Sequence, residues 1–456
     1  MTSGAGTLTL GANPNTVAVV GTGATGATIS GNLNLGVGQV FTIDDGAAAV
    51  DLTITGTISG APGAELVKHG AGTLRLDGNT SNTYPGRTLI TKGTLELAKT
   101  PGHKALVGPL TIGDDSGGAN ADVVRLFVGV QLADSVRVTV TSSGLLEANV
   151  SQTIGSLAGS GNVNVVSNGV LFLGPDNTST TFSGVISGSG GGRLDKRGTG
   201  TLTLTGNNTY TGDTIVRAGT LVVNGSQPQS AITLAGGTLG GTRTVGAITT
   251  YGTGGTIAPG HSPGVLASGS VALGAANSLA VELDGTAVGT EYDQLNVAGT
   301  VSLGGAALNV SLSFTPLVGT LFTIVANDGA ADAVTGTFAA LPQGAVLAVS
   351  NQALQVSYTG GDGNDVTLRA LGTRTPLPTR RARPPRRPRA PRRRGRPRPR
   401  RRSRARTSAC RSRRAPARSR RRSPPATPAA RVATTSSNRS SSRASRTRRS
   451  TWRPRR

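Results

Sequence analysis

Cysteine and tryptophan occur once each in this chain of 456 residues, as Cys410 and Trp452, and neither lies in the first 372. A disulfide framework and a thiolate metal site are therefore excluded from that stretch. Aromatic residues make up 3% of the chain, too few to fill a conventional globular core of this length. The three histidines, His69, His103 and His261, fall in separate loops. They have neither metal-ligand spacing nor the partners of a Ser/His/Asp set. No apolar run approaches the roughly 18 residues of a membrane helix. Met1-Thr-Ser-Gly-Ala-Gly6 lacks the basic start and apolar stretch of a signal peptide. Helix is disfavoured as well, because glycine and β-branched residues interrupt every window before an apolar stripe of period 3.6 can form.

Acidic residues and lysine are absent after residue 372. Residues 1–372 hold 14 Lys and Arg against all 22 Asp and Glu, a net charge of −8, whereas 373–456 hold 33 Arg and no Lys, Asp or Glu. The isoelectric point of 11.7 thus describes neither part. The Arg/Pro/Ser-rich tail cannot bury apolar surface and is expected to be disordered. Taken at face value it is a polycation that binds nucleic acid or anionic membranes in a salt-dependent way. Lysine supplies 5 of the 14 basic residues of the body and none of the 33 in the tail. Arg, Pro, Ala and Ser share GC-rich codons, so a frameshifted or misassembled reading frame accounts for the tail better than a function does.

What is abundant is a phrase written twice, 128 positions apart. The first copy runs Leu66-Val-Lys68-His-Gly70-Ala-Gly-Thr-Leu74-Arg-Leu76, then Tyr84-Pro-Gly86-Arg-Thr88, and closes on Gly93-Thr-Leu95. The second runs Leu194-Asp-Lys196-Arg-Gly198-Thr-Gly-Thr-Leu202-Thr-Leu204, then Tyr210-Thr-Gly212-Asp-Thr214, and closes on Gly219-Thr-Leu221. With their lead-ins the repeats cover 56–98 and 184–225. The Gly-Thr-apolar beat also recurs at short steps, 21 residues from Leu74 to Leu95 and then 19, 18 and 18 along Leu202, Leu221, Leu239 and Ile257. A step near 20 is one coil of a β-solenoid, whose units stack to bury a continuous apolar column. The expected fold is all-β, a right-handed parallel β-helix over 1–260, with the hand following from parallel crossover connections. Strands lengthen from about Val265, so 261–371 reads as a β-rich C-terminal segment, either a continuation of the solenoid with irregular rungs or, the better reading, a cap that blunts the open end. Because the chain opens on Gly4-Ala-Gly-Thr-Leu-Thr-Leu10, inside the pattern, its N-terminus reads as a fragment of something longer.

The two phrases resemble the autotransporter-associated β-strand repeat of bacterial secreted and surface proteins. Leu-x-Lys, Gly-x-Gly-Thr-Leu-x-Leu, Gly-Asn, Tyr-x-Gly-x-Thr and a final Gly-Thr-Leu occur in order, with a two-residue insertion between Gly78 and Tyr84 in the first copy. Further similar segments are Thr153 to Gly161, Pro259 to Gly264, Tyr292 to Leu295 and Tyr358 to Asp365. The resemblance implies a parallel β-helix passenger outside a bacterial cell, structural or adhesive in most members and without catalysis. No terminal membrane barrel of the kind autotransporters carry is recognisable in the sequence.

The candidate sites each have a plainer explanation. Asp44-Asp45 and Asp114-Asp115 could act as acid–base carboxylates on neighbouring rungs, but adjacent strand residues face opposite ways and Asp before Gly is turn chemistry. Gly360-Gly-Asp-Gly-Asn-Asp365 brushes against the calcium nonapeptide, yet a single copy cannot complete the shell. Glu282, Asp284, Glu291 and Asp293 flank a hairpin-like turn and could hold a hard cation weakly, with solvated charge as the default. Gly188-Ser-Gly-Gly-Gly192 lacks the Lys-Ser/Thr of a phosphate loop. The sequence thus predicts no catalytic, cofactor or metal residues. The expected role is a secreted or surface structural and adhesive protein, a monomer or part of a longer chain, meeting surfaces, extracellular matrix or glycans and no specific nucleic acid. A β-helix polysaccharide lyase or hydrolase is the rival, betrayed by carboxylates converging in one groove; Arg-tail binding of polyanions is a third possibility.

Overall fold

In a computed structural model the described residues are 6–11, 15–20, 24–166, 168–260, 262–328 and 332–373. The Arg-rich tail, with Cys410, and His261 lie outside them.

Short strands alternate with turns throughout, and no residue among those described is helical. Most strands are three to five residues long with the pattern buried, half-buried, buried, as in Leu110–Ile112 and Ile232–Leu234. Such strands put one or two apolar side chains inside per rung and one outward, which is what a period of two on a half-covered sheet requires. Glycine and asparagine make the corners.

Three faces result. The first is a 14-stranded sheet from Asn15–Val19 to Ala307–Leu312, parallel at every step. The second is an eight-stranded parallel sheet from Ala27–Ile29 to Val185–Ser187. The third begins as three parallel strands, Thr7–Thr9, Asn32–Asn34 and Ile58–Ser59. An eight-stranded parallel sheet, Gln152–Ile154 to Val301–Ser302, later takes the same place in the winding order. The expected ladder is present: Leu202 pairs with Leu221, Leu221 with Leu239 and Leu239 with Ile257, all buried. Leu74 likewise pairs with Leu95 on adjacent coils.

Parallel pairing does not stop at residue 260. Gln294–Val297 continues from Val265–Ser268, and Leu321–Asn327 from Gln294–Val297, still in parallel. Only then does the chain reverse, with Asp365–Thr373, Gln352–Gly360 and Val346–Val349 adding antiparallel strands to the same sheet. The change of texture near Val265 therefore marks longer rungs, and the antiparallel end piece begins some 60 residues later. Phe322, Phe338 and Tyr358 are buried there, Phe322 edge-on to Tyr292 at 5.4 Å.

The two phrases fold alike but occupy different faces. In the first copy Glu65–His69 lies on the first face and Thr73–Leu76 on the second; in the second copy Arg193–Lys196 lies on the third and Thr201–Leu204 on the first.

Candidate functional surface

Both phrases carry a buried lysine that stitches coils together. Lys68 Nζ donates to the carbonyls of His69, Gly70 and Lys92, at 3.2, 2.6 and 2.9 Å. Lys196 Nζ meets Arg197, Gly198 and Ala218 in the same way, at 2.8, 2.9 and 3.2 Å. A third buried lysine, Lys99, donates to Asp77 at 2.8 Å and to Gly56 at 3.4 Å. Tyr84 and Tyr210 are buried and share hydrogen bonds with Thr88 and Thr214, at 2.7 and 2.6 Å. Two residues before each tyrosine, an asparagine carboxamide caps the coil behind it: Asn82 accepts from Ile58 N and Asn208 from Ile186 N, both at 2.9 Å. The conserved-looking letters of the phrase are therefore an internal hydrogen-bond frame, with turn carbonyls that would otherwise be orphaned satisfied by lysine.

Loss of hydration on burial lowers the pKa of Lys68, Lys99 and Lys196 to about 8 from 10.5. Between those values the unfolded chain binds more protons than the folded one, so these groups make stability rise with pH from about 8 to 10.5. The urea midpoint is expected to be higher at pH 9.5 than at 7.5, and Lys68→Met should flatten that slope. A midpoint that falls over this range would contradict the assignment. Tyr84 and Tyr210, raised by burial, oppose the trend only above pH 10.

Outward, the second face carries an unbroken polar row, one residue per strand: Thr28, Thr53, Arg75, Glu96, Arg125, Glu147, Asn164 and Ser187. At about 4.8 Å per strand it is about 34 Å long. Charges alternate within it. Arg75 pairs with Glu96 at 2.7 Å and Arg125 with Glu147 at 2.5 Å, while Arg125 also reaches Glu96 at 4.0 Å. Exposed Phe127 lies beside the row, its ring 5.8 Å from the Arg75 guanidinium carbon. On the third face Asp195 is clamped between Arg197 and Arg217, at 3.1 and 2.9 Å, and Arg197 covers the Phe172 ring at 4.1 Å.

The carboxylates singled out in the sequence are scattered. Asp44 and Asp45 are exposed in a turn, where nearby Asp51 does the capping by accepting from Gly46 and Thr73 amides. Asp114 accepts from Ser116 N and Asp115 from Ser142 N and Oγ. Asp365 closes the turn from Gly360 and accepts from Asn327 N at 2.9 Å. Glu291 Oε2 accepts from the Thr286 and Ala287 amides, and Asp284 from the Ser313 hydroxyl.

Glu282 and Asp293 are brought together, in a groove of about 280 Å³ with Ser262 and the small residues Gly240, Ala258 and Ala280. Burial, followed by repulsion from Glu282 and Asp284, pushes the Asp293 carboxyl up to about 6, against the pull of two backbone amides. Those amides, of Gly264 at 2.7 Å and Glu282 at 2.9 Å, occupy both of its oxygens, which fixes the loop between strands. Glu282 accepts from Ser262 Oγ. His69 is exposed against Thr91, and the His103 amide closes a turn on Thr100. Among the described residues no three His, Cys, Asp or Glu side chains converge as metal ligands, and no helix is long and apolar enough to cross a membrane.

A known repeat family matches the two phrases. Residues 66–97 and 194–223 match the family described as Passenger-associated-transport-repeat. The chain is 48% identical over 88 residues to the adhesin BmaC autotransporter of Brucella suis biovar 1 (strain 1330), covering 19% of this chain and 2% of that protein. It is 46% identical over 86 residues to an extracellular serine protease of Serratia marcescens, covering 19% of this chain and 8% of that protein. A second S. marcescens extracellular serine protease is 49% identical over 67 residues, or 15% and 6% of the two chains. The chain thus spans less than a tenth of the length of each relative. Repeat, winding and relatives agree: this is an autotransporter-associated repeat protein of the bacterial passenger type, placed outside the cell or on its outer surface.

Proposed function

We propose that the chain is a structural and adhesive segment without catalysis, and that the polar row on the second face is its contact surface. One observation carries this reading: the row from Thr28 to Ser187 is continuous over eight strands and balanced in charge, two Arg against two Glu, with Phe127 at its side. A rigid strip of guanidinium, carboxylate, amide and hydroxyl groups at one spacing suits an extended, polar, weakly charged ligand such as a glycan chain or a matrix polymer. Repetition supplies avidity where single contacts are weak. Against an enzyme speaks the employment of the candidate carboxylates: Asp114, Asp115, Glu291, Asp293 and Asp365 all hold backbone amides.

The test is binding to a glycan array and to immobilised matrix proteins by the parent and by the double variant Arg75→Ala/Arg125→Ala. Binding is expected for the parent and to be largely lost in the variant, with unchanged circular dichroism. Equal binding by both sinks the assignment of the face. Turnover of any polysaccharide in an acidic panel, abolished by Glu282→Gln, would favour the lyase or hydrolase instead.

A further inference from the structure

We propose that the corner around Asp122, where the chain turns from the first face onto the second, is a calcium site. Asp122 opens the strand Asp122–Leu126 and is 1% exposed. Its neighbours in register are Gly93 and Gly144, so neither register partner presents a side chain to it. Neither carboxylate oxygen has a hydrogen-bond partner of good geometry. Such a group is costly unless something compensates it. Its pKa is raised, first by burial and then by Asp114, although the nearby Ser143 hydroxyl, the Asp114 amide and the field of Lys68 draw it partway back. Lys68 is no full partner, because its ammonium is already directed at three carbonyls.

The carboxylate borders a recess of about 400 Å³ between the turns of successive coils, lined also by His69, Thr91, Lys92, Asp114 and Ser116. Asp114 Oδ1 accepts from Ser116 N at 3.0 Å, which fixes that carboxylate at the same recess. Two carboxylates, two hydroxyls and turn carbonyls form a hard, oxygen-rich set without sulfur; among the lining side chains His69 is the one imidazole and Lys92 the one amine. That chemistry fits calcium better than zinc. Irregular turns from separate coils fit its flexible coordination better than the strict octahedron of magnesium. With two acidic side chains and the rest of the shell from hydroxyl, carbonyl and water, the affinity belongs to the extracellular class, about 10⁻⁴–10⁻³ M.

The experiment is calorimetric titration of calcium chloride into the chelator-treated chain, with Asp122→Asn, Asp114→Asn and, as a control on a distant exposed turn, Asp45→Asn. One site is expected in the parent and in Asp45→Asn, none in Asp122→Asn, and a site weakened on the order of tenfold in Asp114→Asn. Thermal unfolding supplies a second readout. Without calcium Asp122→Asn should unfold no earlier than the parent, since it removes an uncompensated carboxylate, and added calcium should stabilise the parent and Asp45→Asn but not Asp122→Asn. No binding by the parent up to roughly 10 mM calcium overturns the proposal, since that exceeds the expected constant at least tenfold. Equal binding by the parent and both recess variants overturns it too. Failure here leaves the second-face binding assignment untouched, because that strip shares none of these residues.

Discussion

Leu221→Ala is expected to cost about 2–5 kcal/mol, the range for emptying a buried leucine site. Leu221 is 1% exposed and lies in register between Leu202 and Leu239. The core here is a thin column whose walls are hydrogen-bonded strands on every side, so little can move in to fill the cavity. Each coil contacts mainly its two neighbours, and the damage should stay local. Hydrogen exchange is the measurement: amides of residues 200–240 should lose protection, while those of 60–100 keep theirs. Uniform loss along the chain, or a cost below about 1 kcal/mol, would mean that the coils are more strongly coupled or more plastic than their stacking implies.

Gly206→Ala is the second large effect expected. A Cβ at Gly184 would meet the carbonyl of Gly161, one at Gly206 that of Gly184, and one at Gly225 that of Gly206. These glycines form a column at one corner, where each coil rests on the bare backbone of the previous one. The obstacle is backbone in tight corners pinned between strands, and it cannot swing away as a side chain would. An added methyl must push coils apart, at about 1–3 kcal/mol or more. Gly274→Ala is the matched control, because the nearest atom to its Cβ would be the Asn277 Oδ1 at 3.8 Å. Denaturant midpoints should fall for the first substitution and barely move for the second; equal shifts would dismiss the column.

Much of the winding was legible because a solenoid imposes the same demand once per coil. Each rung needs a small or medium apolar residue inside and a glycine at the corner, so the beat through Leu202, Leu221, Leu239 and Ile257 surfaces in the sequence. The polar frame was not legible. Lysine is ordinarily an outside residue, and the partners of Lys68 and Lys196 are carbonyls, which carry no letter, some of them from the next coil. The one available signal was that both copies keep Leu-x-Lys. Asp122 gave still less, since its isolation comes from Gly93 and Gly144, 29 and 22 residues away. The grouping of Glu282 with Asp293 was visible as a cluster, but its work of holding the Gly264 and Glu282 amides depends on strand register. From residue 260 to Asn327 the longer strands disguised a parallel pairing scheme that had not yet changed.

The one-face offset between the two phrases bears on how such a chain can grow. Because an identical inner frame is satisfied on different sides of the prism, a new unit need not arrive as a whole number of turns. Duplication can insert a fraction of a turn without disturbing the interior, and everything downstream then points in a new compass direction. Copy number and spacing thereby steer where the outer stripes aim, so that length and orientation vary while the scaffold stays the same.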